Sequence, residues 1–300
     1  MDDMKMKSQS GFGTPKLGAT AMEFAAPWKP SGMGWTQYGF VLCTCHNTDR
    51  KYSRIYLDDK KIYDDYEKKQ TENETIGNPL VVGQEVFLAG ENGSMFHWNG
   101  RALTKPFTLR FATACALWGG VPVVPDTNGG VCTVRRAVDG VPTGIVLPGD
   151  GIVMAAVEHE GALYGAMADG TKSGLTCSNG RFVDAPACMC VVSFHGLLIY
   201  TIGNKIMERD LGLLQELPCE KIMDAKVADN KIWFACDNPA SLYAANMRGE
   251  VVHVGTCDGS TEVGGSCFRV RVAINPQATN GYFAYTVGGN RGVVKKIVWG

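Results

Sequence analysis

Apolar and polar positions along this chain alternate in short bursts, each stopped by Gly, Asn or Asp. "MAAVEHEGALYGAMA" is an apolar run, a break at Glu160-Gly161 and a second apolar run. "CVVSFHGLLIYTI" breaks in the same way at His195-Gly196, and "DAKVADNKIWFAC" at Asp229-Asn230. A period of two residues is that of a strand with one face buried, and nowhere is a helical period sustained. Two-residue breaks of this kind predict hairpins, because Gly, Asn and Asp tolerate the positive φ that tight turns require. "INPQATNGYFAYT" predicts another at Asn280-Gly281, and looser versions surround Gly119-Gly120, Gly83-Gln84 and Tyr38.

These hairpins recur. With Phe40, Phe87, Val123, Tyr164, Ile199, Trp233 and Phe283 as equivalent anchors, the steps are 47, 36, 41, 35, 34 and 50 residues, about 40 on average. Several units carry a second hairpin, with turns at Asn99-Gly100, Asn179-Gly180 and Arg248-Gly249. Seven units of four strands at a spacing near the roughly 40–45 residues of a propeller blade resemble the β-propeller superfamily. The resemblance covers about residues 20–300 and implies an all-β, seven-bladed β-propeller of four-stranded blades. It rests on period and turn chemistry, since no WD dipeptide, kelch double glycine or aspartate box is present.

The last unit has residues for three strands only, ending in "VVKKIVWG". An open sheet edge is a liability that proteins pair or cover. The extended segment "ATAMEFAAPW" is therefore expected to complete the last blade, with about Thr20–Ala26 paired to Val293–Trp299. This gives a polar arm over residues 1–18, a closing strand over 19–27, and one propeller domain over 19–300. The polar stretch Asp64–Asn78 and the span Cys257–Cys267 read as surface loops.

Composition narrows the function classes. A net charge of -1 gives no broad attraction for nucleic acid or an anionic membrane, and no apolar run is long enough for a membrane-spanning helix. The start of the chain lacks the apolar core of a secretory signal, and the 11 cysteines show no CxxC pair or zinc-type spacing. The expectation is synthesis in the cytoplasm with reduced thiols. Cys188 and Cys190 in "CMCVVSFHGLLIY" read as small buried residues of ordinary β-structure, with His195 in a turn. Cys188, Cys219 and Cys257 fall where one unit gives way to the next, beside the crowded first strands.

Candidate chemistry is sparse. "CTCH" offers Cys43, Cys45 and His46 as metal ligands, but strand geometry sends the two cysteines to one face and the histidine to the other. The five histidines are scattered over different units, no GxSxG elbow occurs, and the adjacent carboxylates Asp58-Asp59 and Asp64-Asp65 sit in turns. No catalytic residue, resident metal or cofactor is therefore expected.

The functional expectation is a non-enzymatic interaction propeller, a subunit of a large assembly. Its contacts with other protein subunits are expected through the arm (Lys5, Lys7, Phe12, Lys16) and blade-edge loops (Tyr66, Lys68, Asp258, Glu262). A compact, cysteine-tolerant propeller with a short arm is similar to those of bacteriophage tails and nozzles, which implies a virion tail or capsid-associated component. Two alternatives stand beside it. One is a propeller lyase or hydrolase with His, Asp or Glu converging at the channel mouth. The other is a peptide- or glycan-binding module using Trp35, Trp98, Trp118 or Trp233, of which Trp233 reads as core.

Overall fold

The computed structural model describes residues 14–46, 52–67, 75–257, 270–277, 279–288 and 291–300. The described chain is all β-strand, turn and irregular structure. No helix in it is long and apolar enough to cross a membrane. Seven antiparallel sheets follow one another around a ring, and the molecule is a seven-bladed β-propeller. The innermost strands, in blade order, are Trp28–Thr36, Leu80–Val82, Ala116–Trp118, Ile152–His159, Val191–Phe194, Lys221–Ala228 and Val270–Ile274. All seven sequence anchors lie on the second strand of a blade, which explains their spacing.

The hairpin chemistry read from the sequence is present. Glu160-Gly161, His195-Gly196, Asp229-Asn230 and Gly119-Gly120 each have positive φ at both central residues, between 49° and 80°. That is the type I′ twist that matches two antiparallel strands. The expected Asn280-Gly281 turn differs. Gly281 pairs with Ile274, so the connection is the longer loop Asn275–Asn280. The Asn275 side chain organises this loop: its Oδ1 accepts from Thr279 N at 2.7 Å and Asn280 N at 3.2 Å.

Blade 2 departs from the simple pattern. Its inner strand is in two pieces, Thr75–Ile76 and Leu80–Val82, separated by Gly77-Asn78-Pro79. A Cβ at Gly77 would lie 1.7 Å from Thr113 O, so only glycine fits this close backbone approach. The described ends of the stretch expected as a surface loop are accordingly structural. Asp64, Asp65, Thr75 and Ile76 are buried, and only Tyr66 and Glu67 are exposed.

Ring closure is by the N-terminal strand. Pro15–Glu23 forms the outer strand of blade 7, with Pro15 opposite Trp299 and Glu23 opposite Val293. The partner segment is the expected one, and the strand begins at Pro15 rather than near Thr20. It bends through two register shifts between Leu17 and Met22, and Phe24 N donates to Gly292 O at 2.9 Å. Leu17 packs close against Gly255 of blade 6, which ties the closing strand to its neighbour.

The apolar core is divided between the blades, because each sheet buries both faces against its neighbours. Cys43, Ile55, Ile76, Leu88 and Phe96 fill the gap between blades 1 and 2. Cys188 and Leu198 lie between blades 4 and 5. Trp233, Phe234, Phe283 and Ile297 belong to a larger cluster over blades 4 to 7. Burial pushes the thiols of Cys43, Cys115 and Cys188 up, Cys132 to about 11 and Cys190 to about 12. Cys188 and Cys190 are thus small buried residues of the β-structure, as the sequence pattern implied.

Candidate functional site

The central channel is braced by polar groups from four blades. Asn78 Nδ2 donates to Asp224 Oδ1 at 2.9 Å, while Asn78 Oδ1 accepts from Met33 N at 2.9 Å. Asp224 Oδ2 accepts from Val272 N at 3.1 Å, and Lys226 Nζ lies 3.4 Å from Oδ1. Arg271 is buried and donates to Ser31 O at 2.7 Å and Met223 O at 3.1 Å. Blades 1, 2, 6 and 7 are therefore joined across the axis. The remaining channel cavity, about 280 Å³, is lined by Asn78, Cys115, Met154, Ser193, Asp224 and Lys226. Each oxygen of Asp224 is already engaged by protein donors, so this carboxylate serves the brace.

A different kind of site lies between blades 5 and 6. Here the outer strand of blade 5, Gly212–Glu216, reads "GLLQE", and the adjacent leucines break the apolar/polar alternation. Leu213 pairs with Met207 and Gln215 with Ile206, which makes Leu214 the extra residue of a β-bulge; Leu214 lines the cleft beside Gln215, and Leu213 does not. Leu213 is 51% exposed and Leu214 46%, and Leu211 just before them is 70% exposed. Leu214, Leu197 and Ile206 of blade 5 face Ile232, Phe234 and Met247 of blade 6 across a cleft of about 420 Å³. Met247 is 62% exposed at its rim. The rim turn is held in shape by Asn246, whose Oδ1 accepts from Arg248 N at 2.9 Å and Glu250 N at 3.1 Å. The cleft is thus apolar, open and built on paired strands. One side of it is formed by the outermost strand of a four-stranded sheet.

The residues singled out by sequence are not gathered at either place. Cys43 and Cys45 are buried on the second strand of blade 1. His46 stacks on Tyr66 at 5.6 Å and meets Trp28 edge-on at 5.2 Å. No group of three or more His, Cys, Asp or Glu among the described residues could hold a metal. Tyr66 is 47% exposed and packs on Trp28, His46 and Tyr52, while the Arg54 guanidinium lies 3.6 Å from the Trp28 ring centroid. Lys16, expected on the arm, is exposed within the closing strand, opposite Val298. Lys5, Lys7, Phe12, Lys68, Asp258 and Glu262 lie outside the described residues.

The described histidines remain on separate blades, and His159 is buried with its Nδ1 2.9 Å from Ser193 Oγ. Trp233 is fully buried; Trp35, Trp98 and Trp118 are half-buried on three different blades. Sequence reasoning missed Leu211, Leu213, Leu214 and Met247. The "LGLL" run was the available signal, since an edge strand with solvent on one face should alternate.

No known protein family profile matches the chain, and no curated protein matches it by sequence. Solved structures do. A streptogramin B lyase aligns with a TM-score of 0.66 at 12% identity, over 96% of this chain and 98% of that one. A chain of the mitotic checkpoint complex aligns with a TM-score of 0.61 at 12% identity, over 99% and 96%. BamB from Moraxella catarrhalis aligns with a TM-score of 0.52 at 12% identity, over 90% and 83%. The shared property is the fold. At such identities propellers carry unrelated activities, so function has to be argued from this chain's own surfaces.

Proposed function

We propose that this protein is an interaction propeller, a structural subunit of a larger protein assembly, which docks on a partner protein through the cleft between blades 5 and 6. The observation that carries the reading is the pair of exposed side chains Leu214 and Met247 that line this apolar cleft. Occurrence of a similar propeller in the mitotic checkpoint complex supports a protein partner in general terms. The assembly we propose is a virion tail or capsid-associated structure, entered after synthesis in the cytoplasm. The test is the native mass of the protein fractionated from its source, by size exclusion with light scattering. Co-migration with megadalton particles is expected, and recovery as a free species near 32 kDa overturns the reading. The double variant Leu214→Glu, Met247→Glu should leave the melting curve unchanged, because both side chains are exposed, and should release the chain from the particle. Retention of that variant in the particle would move the contact elsewhere.

A second reading, a lyase or hydrolase acting at the channel mouth, is favoured by the polar lining of the channel cavity with Asn78, Ser193, Asp224 and Lys226. The structural likeness to a streptogramin B lyase points in the same direction. It separates from the first reading by experiment: a Lys226→Met variant would then lose activity while keeping its place in the particle.

A further inference from the structure

A polar cleft of about 790 Å³ opens between blades 2 and 3, built around one connecting segment. Residues 108–111 run from blade 2 towards the inner strand of blade 3 and are tied down on both sides. Towards the hairpin turn of blade 2, Asn92 N donates to Arg110 O at 2.7 Å and Leu109 N to Gly93 O at 2.8 Å. Towards blade 3, Asp126 Oδ1 accepts from Arg110 N at 2.9 Å and from Phe111 N at 3.1 Å. Asp126 lies opposite Thr133, which puts Arg135 one diagonal step away, its Nε 3.7 Å from Asp126 Oδ2. Asn92, Arg110, Asp126 and Arg135 thus line one cleft, with Phe107 as an apolar wall. These polar groups do not satisfy one another. Arg135 Nε and Asn92 Oδ1 are buried atoms with no hydrogen-bond partner among the described residues. Asp126 is buried, and both of its hydrogen bonds fall on Oδ1. The exposed Arg110 guanidinium rests 5.7 Å from the Phe111 ring centroid and pairs with no carboxylate among the described residues. Lys105 Nζ, also at the cleft, already donates to Tyr63 Oη at 3.2 Å. Unmatched donors and acceptors converging on a concave site point to a ligand that matches them.

We propose that this cleft binds an acidic sugar residue, a polyhydroxylated carboxylate such as the uronic or sialic acid of a glycan. The carboxylate is met by Arg110 and Arg135, whose planar guanidinium donors suit its two oxygens. Asn92 Oδ1 and Asp126 Oδ2 are acceptors and require donors, which the sugar hydroxyls supply. Phe107 offers its apolar surface to the sugar ring. Phosphate matches the site less well, because it brings acceptor oxygens for Asn92 and Asp126 and sets its second negative charge beside a carboxylate. A neutral sugar leaves both guanidinium groups without a counter-charge. The site is separate from the cleft between blades 5 and 6 and does not rest on the docking reading.

Isothermal titration calorimetry on the folded chain tests this, with sodium glucuronate and N-acetylneuraminate as probes and glucose and inorganic phosphate as controls. At least one sugar acid should bind about tenfold or more tighter than either control, and which of the two does so tells a uronic from a sialic acid site. Arg110→Gln should weaken that binding by about tenfold or more, with an unchanged melting curve because the side chain is exposed. Asn92→Gly keeps the turn, whose φ is 46°, and removes Oδ1. It should weaken the sugar acid as well, which attraction between charges alone would not do. Failure of both sugar acids to bind overturns the proposal, and so does glucose or phosphate binding as tightly as they do. Sugar-acid binding that survives Arg110→Gln unchanged overturns the site, and binding that survives Asn92→Gly unchanged overturns the hydroxyl recognition.

Discussion

At the scale of single residues, Asp64 links local chemistry to pH. Its carboxylate accepts from Arg54 Nε at 2.9 Å, Lys61 Nζ at 2.7 Å and Glu67 N at 3.2 Å. Burial works to raise its pKa; the Lys61 and Glu67 hydrogen bonds and the Arg54 charge outweigh it and leave the carboxyl below the ordinary range. A depressed folded pKa contributes stability above the unfolded value of about 3.9, and that stability is lost as pH falls through the lower folded value. Asp64→Asn should therefore be less stable than the parent at neutral pH, with the gap closing as the pH falls below about 4. Urea midpoints at several pH values measure this, and a gap that does not change with pH would refute it. "DD" at 64–65 was legible only as a turn, because Arg54, which pairs with Asp64 alongside Lys61 of its own strand, is brought opposite it by the neighbouring strand.

At the scale of elements, the closing strand is the most consequential. Pro15–Glu23 pairs along Arg291–Trp299, and the core beneath it includes Phe24 and Trp28. Deleting residues 1–23 uncovers the edge of blade 7 and removes the Leu17 contact with blade 6. A fall in Tm on the order of 10 °C is expected, since about 1 kcal/mol moves Tm by roughly 2–4 °C in chains of 150–250 residues. Differential scanning calorimetry would show it, and an unchanged Tm would mean the ring does not depend on this closure. The pairing was legible because an incomplete last unit must find a strand. The start at Pro15 was not, because "PKLG" has too little apolar character to mark a strand before its partner is in place.

At the scale of the whole molecule, the ring is held together across its axis as well as around its rim. Asn78 and Asp224 are 146 residues apart and belong to blades 2 and 6. Because they share a buried network with Met33, Val272 and Lys226, their energies should not add. A double-mutant cycle with Asn78→Ala and Asp224→Ala is expected to give a coupling of about 0.5–3 kcal/mol from denaturant unfolding. Additive effects would mean that the two groups are satisfied independently and that the brace has no weight of its own.

The sequence by itself determined the repeat, the strand character, most of the tight turns and the need for a closing strand. These follow from a two-residue period and from which residues tolerate positive φ, both of which are properties of short segments. Only the tertiary structure decided which polar residues meet in the channel and which side of the blade 5 edge stays open. Those depend on pairs such as Asn78 with Asp224 and Leu17 with Gly255, brought together by the ring and its closure. Pairings of that kind leave no periodic mark in a single chain, because each depends on where its partner is carried by the fold.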